Sequence, residues 1–459
     1  MKIKALILVL GITFLSIYSA YSQMDCRSML GANLTPFKKD GQISWALEGT
    51  MAPGIMTSPF DSLDNTKLNG GMLLAALDFG FSKKKSHIYI EGGFKNWQNS
   101  EFVDDSKEKN SRHIGVRQVF YSFSNDKIKL KAGLHETRLG DFFLIDERML
   151  GFSVDKPINA FTVNLRAGTV NKNFARMGKF CANRHIYGLI NNGNYTEHIG
   201  EKVGETNLAG VVINWNPHYK KTETVKTDNK SNNSDEFETT DEFHENHDFN
   251  EFGSSDEFSD ETESTKTKQK ISLKNIGLIV YDEFGDINYI PDNKLYTGLL
   301  FDIDLPYDFF LQTGGVYQNM ANQNTFVYIA KFGKSKLWNN SSLTKISGAY
   351  IGKTDIDNNA IFQPFFSNLF IGEVMRMDAA QFPLWQAAIK HKFPGKRKIH
   401  IAAKFVGQLE DAETNEQDVE IGLMAFKNHL KVTLIGSHVQ TLALPNDFMM
   451  VRMEMRLAF

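Results

Sequence analysis

From Phe448 to Phe459 the chain alternates with a period of two. Met449, Val451, Met453, Met455, Leu457 and Phe459 fall on one side of an extended backbone, and Arg452, Glu454 and Arg456 fall on the other. One oily face and one charged face suit a strand with lipid outside and water inside. A soluble sandwich would tolerate one such strand, so the repetition carries the argument. Ile128, Leu130, Ala132 and Leu134 alternate with Lys129 and Lys131, and Ile399, Ile401, Ala403, Phe405 and Gly407 with His400 and Lys404. Phe161–Thr169, Leu295–Leu305 and Val419–Ala425 follow the same rule. These runs reach about nine to twelve residues, the length a tilted strand needs to cross a bilayer, whereas globular strands average about five or six.

Composition now reads differently. A mean hydropathy of -0.32 and a net charge of -3 resemble a soluble protein and give no reason to expect nucleic-acid binding. Beyond the first 23 residues no apolar run reaches the roughly 18 needed for a spanning helix. A membrane barrel needs none, because only alternate residues meet lipid. Residues 1–22 read as a signal peptide: Lys2 and Lys4, an apolar Ala5–Ile17 core, then Ala20-Tyr21-Ser22 before a cut ahead of Gln23. Export leaves Cys26 and Cys181 in an oxidising compartment, either as a disulfide or as two free thiols.

The expected organisation is a segment at 23–41, periplasmic or lumenal, and a single antiparallel β-barrel over 42–459, all-β, of sixteen to eighteen strands. Connections alternate between short turns (Lys427–His429, Pro394–Arg397, Gly333–Asn340, Leu305–Asp308, Asn125–Asp126, Lys83–Lys85) and longer loops such as Lys353–Gln381 and Gln98–Asn110. Short periplasmic turns and longer outer loops are the usual asymmetry of such barrels. A turn at Lys156–Asn159 brings the count to eighteen, makes Val170–Asn207 an outer loop and puts residues 217–270 on the periplasmic side. That insertion stands apart: Asp235–Glu263 holds thirteen acids and no Lys or Arg, with Asp-Glu-Phe at 235–237, 241–243 and 256–258. Like-charge repulsion with little to bury predicts disorder there.

Catalytic signatures are missing: there is no G-x-S-x-G, H-E-x-x-H, C-x-x-C or Walker loop, and no cofactor or metal site is expected. His244 and His247 lie among acids, where a solvated tract is the plainer reading than a cation site. The inward face is more informative. Its basic candidates are Lys95, Arg117, Lys129, Lys131, Arg166, Lys390, Lys392, Lys404, Lys431, Arg452 and Arg456, against Glu91, Asp302, Asp304, Asp418, Glu420 and Glu454. Such a lining favours anions if its charges are not cancelled by pairing across the wall.

With these features the chain resembles Gram-negative outer-membrane porins. Met453, Met455, Leu457 and Phe459 resemble the C-terminal signal read by the barrel-assembly machinery, which that resemblance implies as a partner alongside outer-membrane lipid. More locally, Gly133-x6-Gly140-Asp141 followed by Glu147-Arg148-Met149-Leu150-Gly151 resembles a strand–loop–strand element of alginate-export-type porins, passive conduits for an anionic polysaccharide; the acidic insertion departs from that pattern. The resemblance implies a non-enzymatic channel for passive diffusion of small solutes in the cell outer membrane, and the basic lining favours anions among them if it is not cancelled by pairing. The alternative is a non-conducting subunit of an assembly or secretion complex, with 235–263 docking to a periplasmic or surface protein.

Overall fold

The computed structural model describes residues 43–459 apart from 62–64, 66–69, 82–84, 98–110, 140–143, 171–202, 218–270, 286–292, 321–323, 357–369, 372–376, 379–382, 396, 410–413, 427–428 and 443. Eighteen strands form one closed antiparallel barrel. In chain order they are β1 (Ile43–Met51), β2 (Gly70–Phe81), β3 (Ser86–Trp97), β4 (Ser111–Asn125), β5 (Ile128–Leu139) and β6 (Ile145–Ile158). Then come β7 (Phe161–Val170), β8 (Thr206–Trp215), β9 (Ser272–Phe284), β10 (Asn293–Leu305), β11 (Phe309–Asn319) and β12 (Thr325–Leu337). The last six are β13 (Leu343–Asp355), β14 (Leu384–Lys392), β15 (His400–Gln408), β16 (Asn415–Ala425), β17 (Leu430–Gln440) and β18 (Phe448–Ala458). Each pairs with its neighbour in sequence, and β1 closes on β18 with Glu48 opposite Ala458 and Thr50 opposite Arg456. Gly54–Met56 prolongs β1 along β18 after Pro53, whose carbonyl accepts from Met453 N at 2.8 Å.

Period-two burial runs through the wall. On β18, Phe448, Met450, Arg452, Glu454, Arg456 and Ala458 are buried inward while Met449, Val451 and Met453 are exposed. In register with them, Leu434 and Ile421 continue the apolar outer face. Trp45, Phe81, Phe161, Trp215, Trp338 and Phe393 ring the short-turn end of that face, and Phe94, Phe284 and Phe326 lie toward the other. Aromatic girdles of this kind sit at the two water–lipid interfaces.

An even strand count returns both barrel ends to one side, together with the turns at 126–127, 159–160 and 306–308. The first of these is held by Asn125, whose Oδ1 accepts from Lys127 N and Ile128 N, both at 2.9 Å. Trp215 and Ser272, which flank the acidic insertion, end on this short-turn side. Two turns differ from expectation: Lys156–Ile158 stay within β6, so that turn is confined to 159–160. The chain stays extended to Leu337 and turns at 338–342, with Ser341 N donating to Trp338 O at 2.9 Å. Lys334 and Lys336 are strand residues whose ammonium groups lie over Phe309 (4.5 Å) and Trp338 (3.8 Å). Their polarity resembles a turn, but it belongs to cations reaching for the interface.

Candidate functional site: the charged lumenal wall

Three strands build the first cluster. Glu91 on β3 is fully buried and accepts from Tyr89 Oη at 2.8 Å, from Gln118 Nε2 at 3.1 Å and from Arg117. Arg117 and Gln118 are adjacent in sequence yet both reach Glu91, because a β-bulge on β4 shifts the ladder between Glu91 and Gly92. A bulge supplies the extra residue that strict alternation forbids. Lys95 stands opposite Met72 and His113 in the ladder. On β5, Lys129 lies opposite Ser124, and Lys131 opposite Ser122 with its ammonium 5.2 Å from the Phe120 ring.

A second group crosses β6 to β9. Asp155 Oδ1 accepts from Arg166 Nη1 at 2.7 Å and from Asn164 Nδ2 at 2.8 Å. Asn164 Oδ1 in turn accepts from Asn214 Nδ2 at 2.8 Å, and Asn214 Oδ1 from Asn275 Nδ2 at 3.2 Å. Toward the long-loop end, Glu283 takes the Tyr281 hydroxyl at 2.8 Å and faces Lys294 Nζ at 3.8 Å. A second bulge on β9 lets Lys274 reach Asp304 at 2.9 Å.

The remaining wall is segregated by charge. Among the described residues, Lys331, Lys345, Lys353, Lys390 and Lys392 occupy inward positions of β12–β14, and the one acid in these strands is Asp355, opposite Thr325 in the ladder at the long-loop end. Lys345 and Lys390 are direct cross-strand neighbours. The next acids are Glu416, Asp418 and Glu420 on β16, with Lys404 Nζ 3.6 Å from Asp418 and His400 Nε2 2.5 Å from Glu420. Beyond them Lys431, Arg452 and Arg456 surround Glu454, which accepts from Arg456 Nε at 2.5 Å. Like-charged groups placed side by side are unfavourable, whereas isolated buried charges persist when paired. The wall combines close acid–base pairs with a lysine arc on β12–β14, where the Lys331 and Lys345 ammonium groups lie 5.9 and 5.7 Å from the centre of the Phe310 ring.

Several charged residues escape a reading by alternation alone. Lys294, Lys331, Lys345 and Lys353 carry part of the basic lining, and Glu48, Asp78, Asp155, Glu283 and Glu416 part of the acidic one. On β12 the neighbours Val327 and Ile329 point inward as well, so both faces look apolar and Lys331 has no alternating background to stand out against. Met453, Met455 and Leu457 face outward, and Phe459 exchanges hydrogen bonds with Leu47, N to O and O to N, both at 2.8 Å. Gly133 and Glu147–Gly151 lie on facing strands of the β5–β6 hairpin. Cys26, Cys181, residues 23–41 and the stretch 235–263 lie outside the described residues.

No family model and no curated protein matches the chain. Solved structures do. A BenF-like porin from Pseudomonas fluorescens Pf-5 superposes with a TM-score of 0.52 at 9% identity, over 92% of this chain and 99% of that one. Acinetobacter baumannii OccAB4 gives 0.52 at 10% identity, over 91% and 98%. Pseudomonas aeruginosa OccK9 (OpdG) gives 0.50 at 8% identity, over 91% and 98%. At such identities the likeness concerns the fold. The chain folds as a Gram-negative outer-membrane porin barrel, and its apolar belt places it in the outer membrane.

Proposed function

We propose that the barrel is a non-enzymatic channel through which small anionic solutes diffuse passively. The lysine arc of β12–β14 carries this reading. Lys345 stands directly opposite Lys390, and Lys331 and Lys392 share the same inward face, so positive charge is concentrated along one stretch of the wall. In a water-filled lumen it lowers the barrier for an anion and raises it for a cation. A barrel of this strand number is wide enough for an aqueous path. The non-catalytic nature of the porins it resembles in fold is consistent with this role.

The test is a planar-bilayer recording on purified protein across a salt gradient. Wild type should give ohmic steps and a zero-current potential displaced toward the anion's Nernst value. In the Lys345→Glu/Lys390→Glu variant that potential should move toward the cation's value. A barrel that stays silent, or a potential that the double reversal leaves in place, would refute the proposal.

A further inference from the structure

Among the described residues, one hairpin leaves the wall. The β4–β5 ladder covers only Val119–Asn125 against Leu134–Ile128, although β4 continues to Ser111 beside β3 and β5 continues to Leu139 beside β6. On its other flank the β6–β7 ladder stops at Leu150 opposite Thr169, while β6 begins at Ile145. Among the described residues, the tip formed by His135–Leu139 and Ile145–Met149 pairs with itself and not with β4. Seven shared positions at about 3.3 Å each, tilted by about 40°, span some 17–18 Å of an apolar band about 25 Å tall. The wall parts within the outer leaflet.

The tip leans into the lumen. Leu139 Cδ2 lies 2.5 Å from the place where a Cβ on Gly210 of β8 would sit, three strands away. Arg148 and its neighbour Met149 are both buried, so both faces of the tip are covered. On the edge left behind, Ile114 is 85% exposed, against 56% for Met449, the next most exposed large apolar strand residue. The bend has a crease. Gly133, Gly151 and Gly168 stand in one register row across β5, β6 and β7. Gly133 has φ +123, and a Cβ on Gly168 would meet Leu150 O at 2.6 Å. Only glycine accommodates that φ and so close an approach of backbones. At the fork, Gln118 Oε1 accepts the Glu136 N–H at 3.2 Å, in place of a ladder bond.

We propose that the β5–β6 tip is a hinged gate. It pivots on the glycine row between the inward position, where it narrows the lumen, and an outward one in which His135–Leu139 zips onto the free edge of β4 and the Gln118–Glu136 contact gives way to ladder bonds. The inward position keeps the Leu139–Gly210 contact; the outward one satisfies two strand edges that lipid cannot solvate. This inference rests on the channel reading only for its consequence, since the motion itself is measurable without conduction.

Two cysteine pairs in a Cys26→Ser/Cys181→Ser background test it. Val116→Cys with Glu136→Cys should crosslink on oxidation, trapping the tip in the wall, and Leu139→Cys with Gly210→Cys should trap it in the lumen. Mass spectrometry should find both disulfides in heat-modifiable, folded barrels. Single-channel conductance should rise at least twofold in the wall-locked form, revert with dithiothreitol, and stay at its lower level in the lumen-locked form. A wall pair that never crosslinks in folded protein overturns the gate, and so does a crosslinked form whose conductance matches the lumen-locked one. If the first pair impairs folding, nitroxides at Ile114 and Glu136 give the answer by pulsed electron resonance: two distance populations support the gate, and a single one corresponding to the inward tip overturns it. Crosslinks or two distances in a barrel that never conducts would sink the channel proposal and leave the hinge standing.

Discussion

Arg117→Met should destabilise the barrel far more than the loss of one lumenal side chain would suggest. The guanidinium is 2% exposed and its partner Glu91 is fully buried, so the substitution strands a carboxylate away from water. Breaking one side of a buried pair costs about 3–5 kcal/mol. The Tyr89 and Gln118 donors remain on Glu91, and hydrogen bonds to a charged group contribute about 1.5–3 kcal/mol each, so the lower end of that range, about 3 kcal/mol, is expected. Glu91→Gln should lose less, because Glu136 and Glu48 also face the guanidinium. In Arg117→Met/Glu91→Gln no unpaired charge is left, and the loss should fall to about 1 kcal/mol, a coupling of several kcal/mol between the two sites. Denaturant titration in lipid vesicles, followed by tryptophan fluorescence and by the heat-dependent gel shift, measures all three variants against wild type. Single losses under about 1 kcal/mol that simply add in the double variant would mean that water reaches the pair, and the argument from desolvation would fail.

Two further outcomes are expected. Leu434→Lys, on the outer face between Ile421 and Met453, should cost about 2–4 kcal/mol in vesicle stability, while Thr433→Lys, one residue away and opposite Glu454 inside, should cost clearly less; equal losses would contradict the assigned faces. Deleting residues 235–263 should leave the heat-modifiable barrel intact, because the β8–β9 ladder from Asn207–Phe284 to Trp215–Ile276 is complete without them; a variant that no longer shows the gel shift would show that the insertion supports the fold.

Alternation in residues such as Met449–Phe459 was enough to place lipid and water on opposite sides of a strand, whereas the choice between sixteen and eighteen strands hung on a turn within Lys156–Asn159 that the ladder now places at 159–160. What alternation cannot express is a departure from itself. The bulges at Arg117 and Lys274 put an extra residue into the ladder, and no period-two pattern announces that. Lys334 and Lys336 resembled a turn because interfacial cations and turn residues share polarity. The glycine row was visible only as scattered glycines, since Gly133, Gly151 and Gly168 become a line once register is known. Charge segregation on β12–β14 was hidden for the same reason: Lys345 and Lys390 are 45 positions apart in sequence and become neighbours only through the ladder.

The seam between β1 and β18 has a consequence for how such a molecule is made. Leu47 meets Phe459 across about four hundred intervening residues, whereas the other ladders of the described barrel join strands that are neighbours in sequence. Until that last aromatic arrives, the growing sheet is a curled ribbon with two raw margins, each able to recruit the wrong neighbour. Closing that seam removes both margins at once, which is what leaves the finished barrel without an exposed end to its sheet.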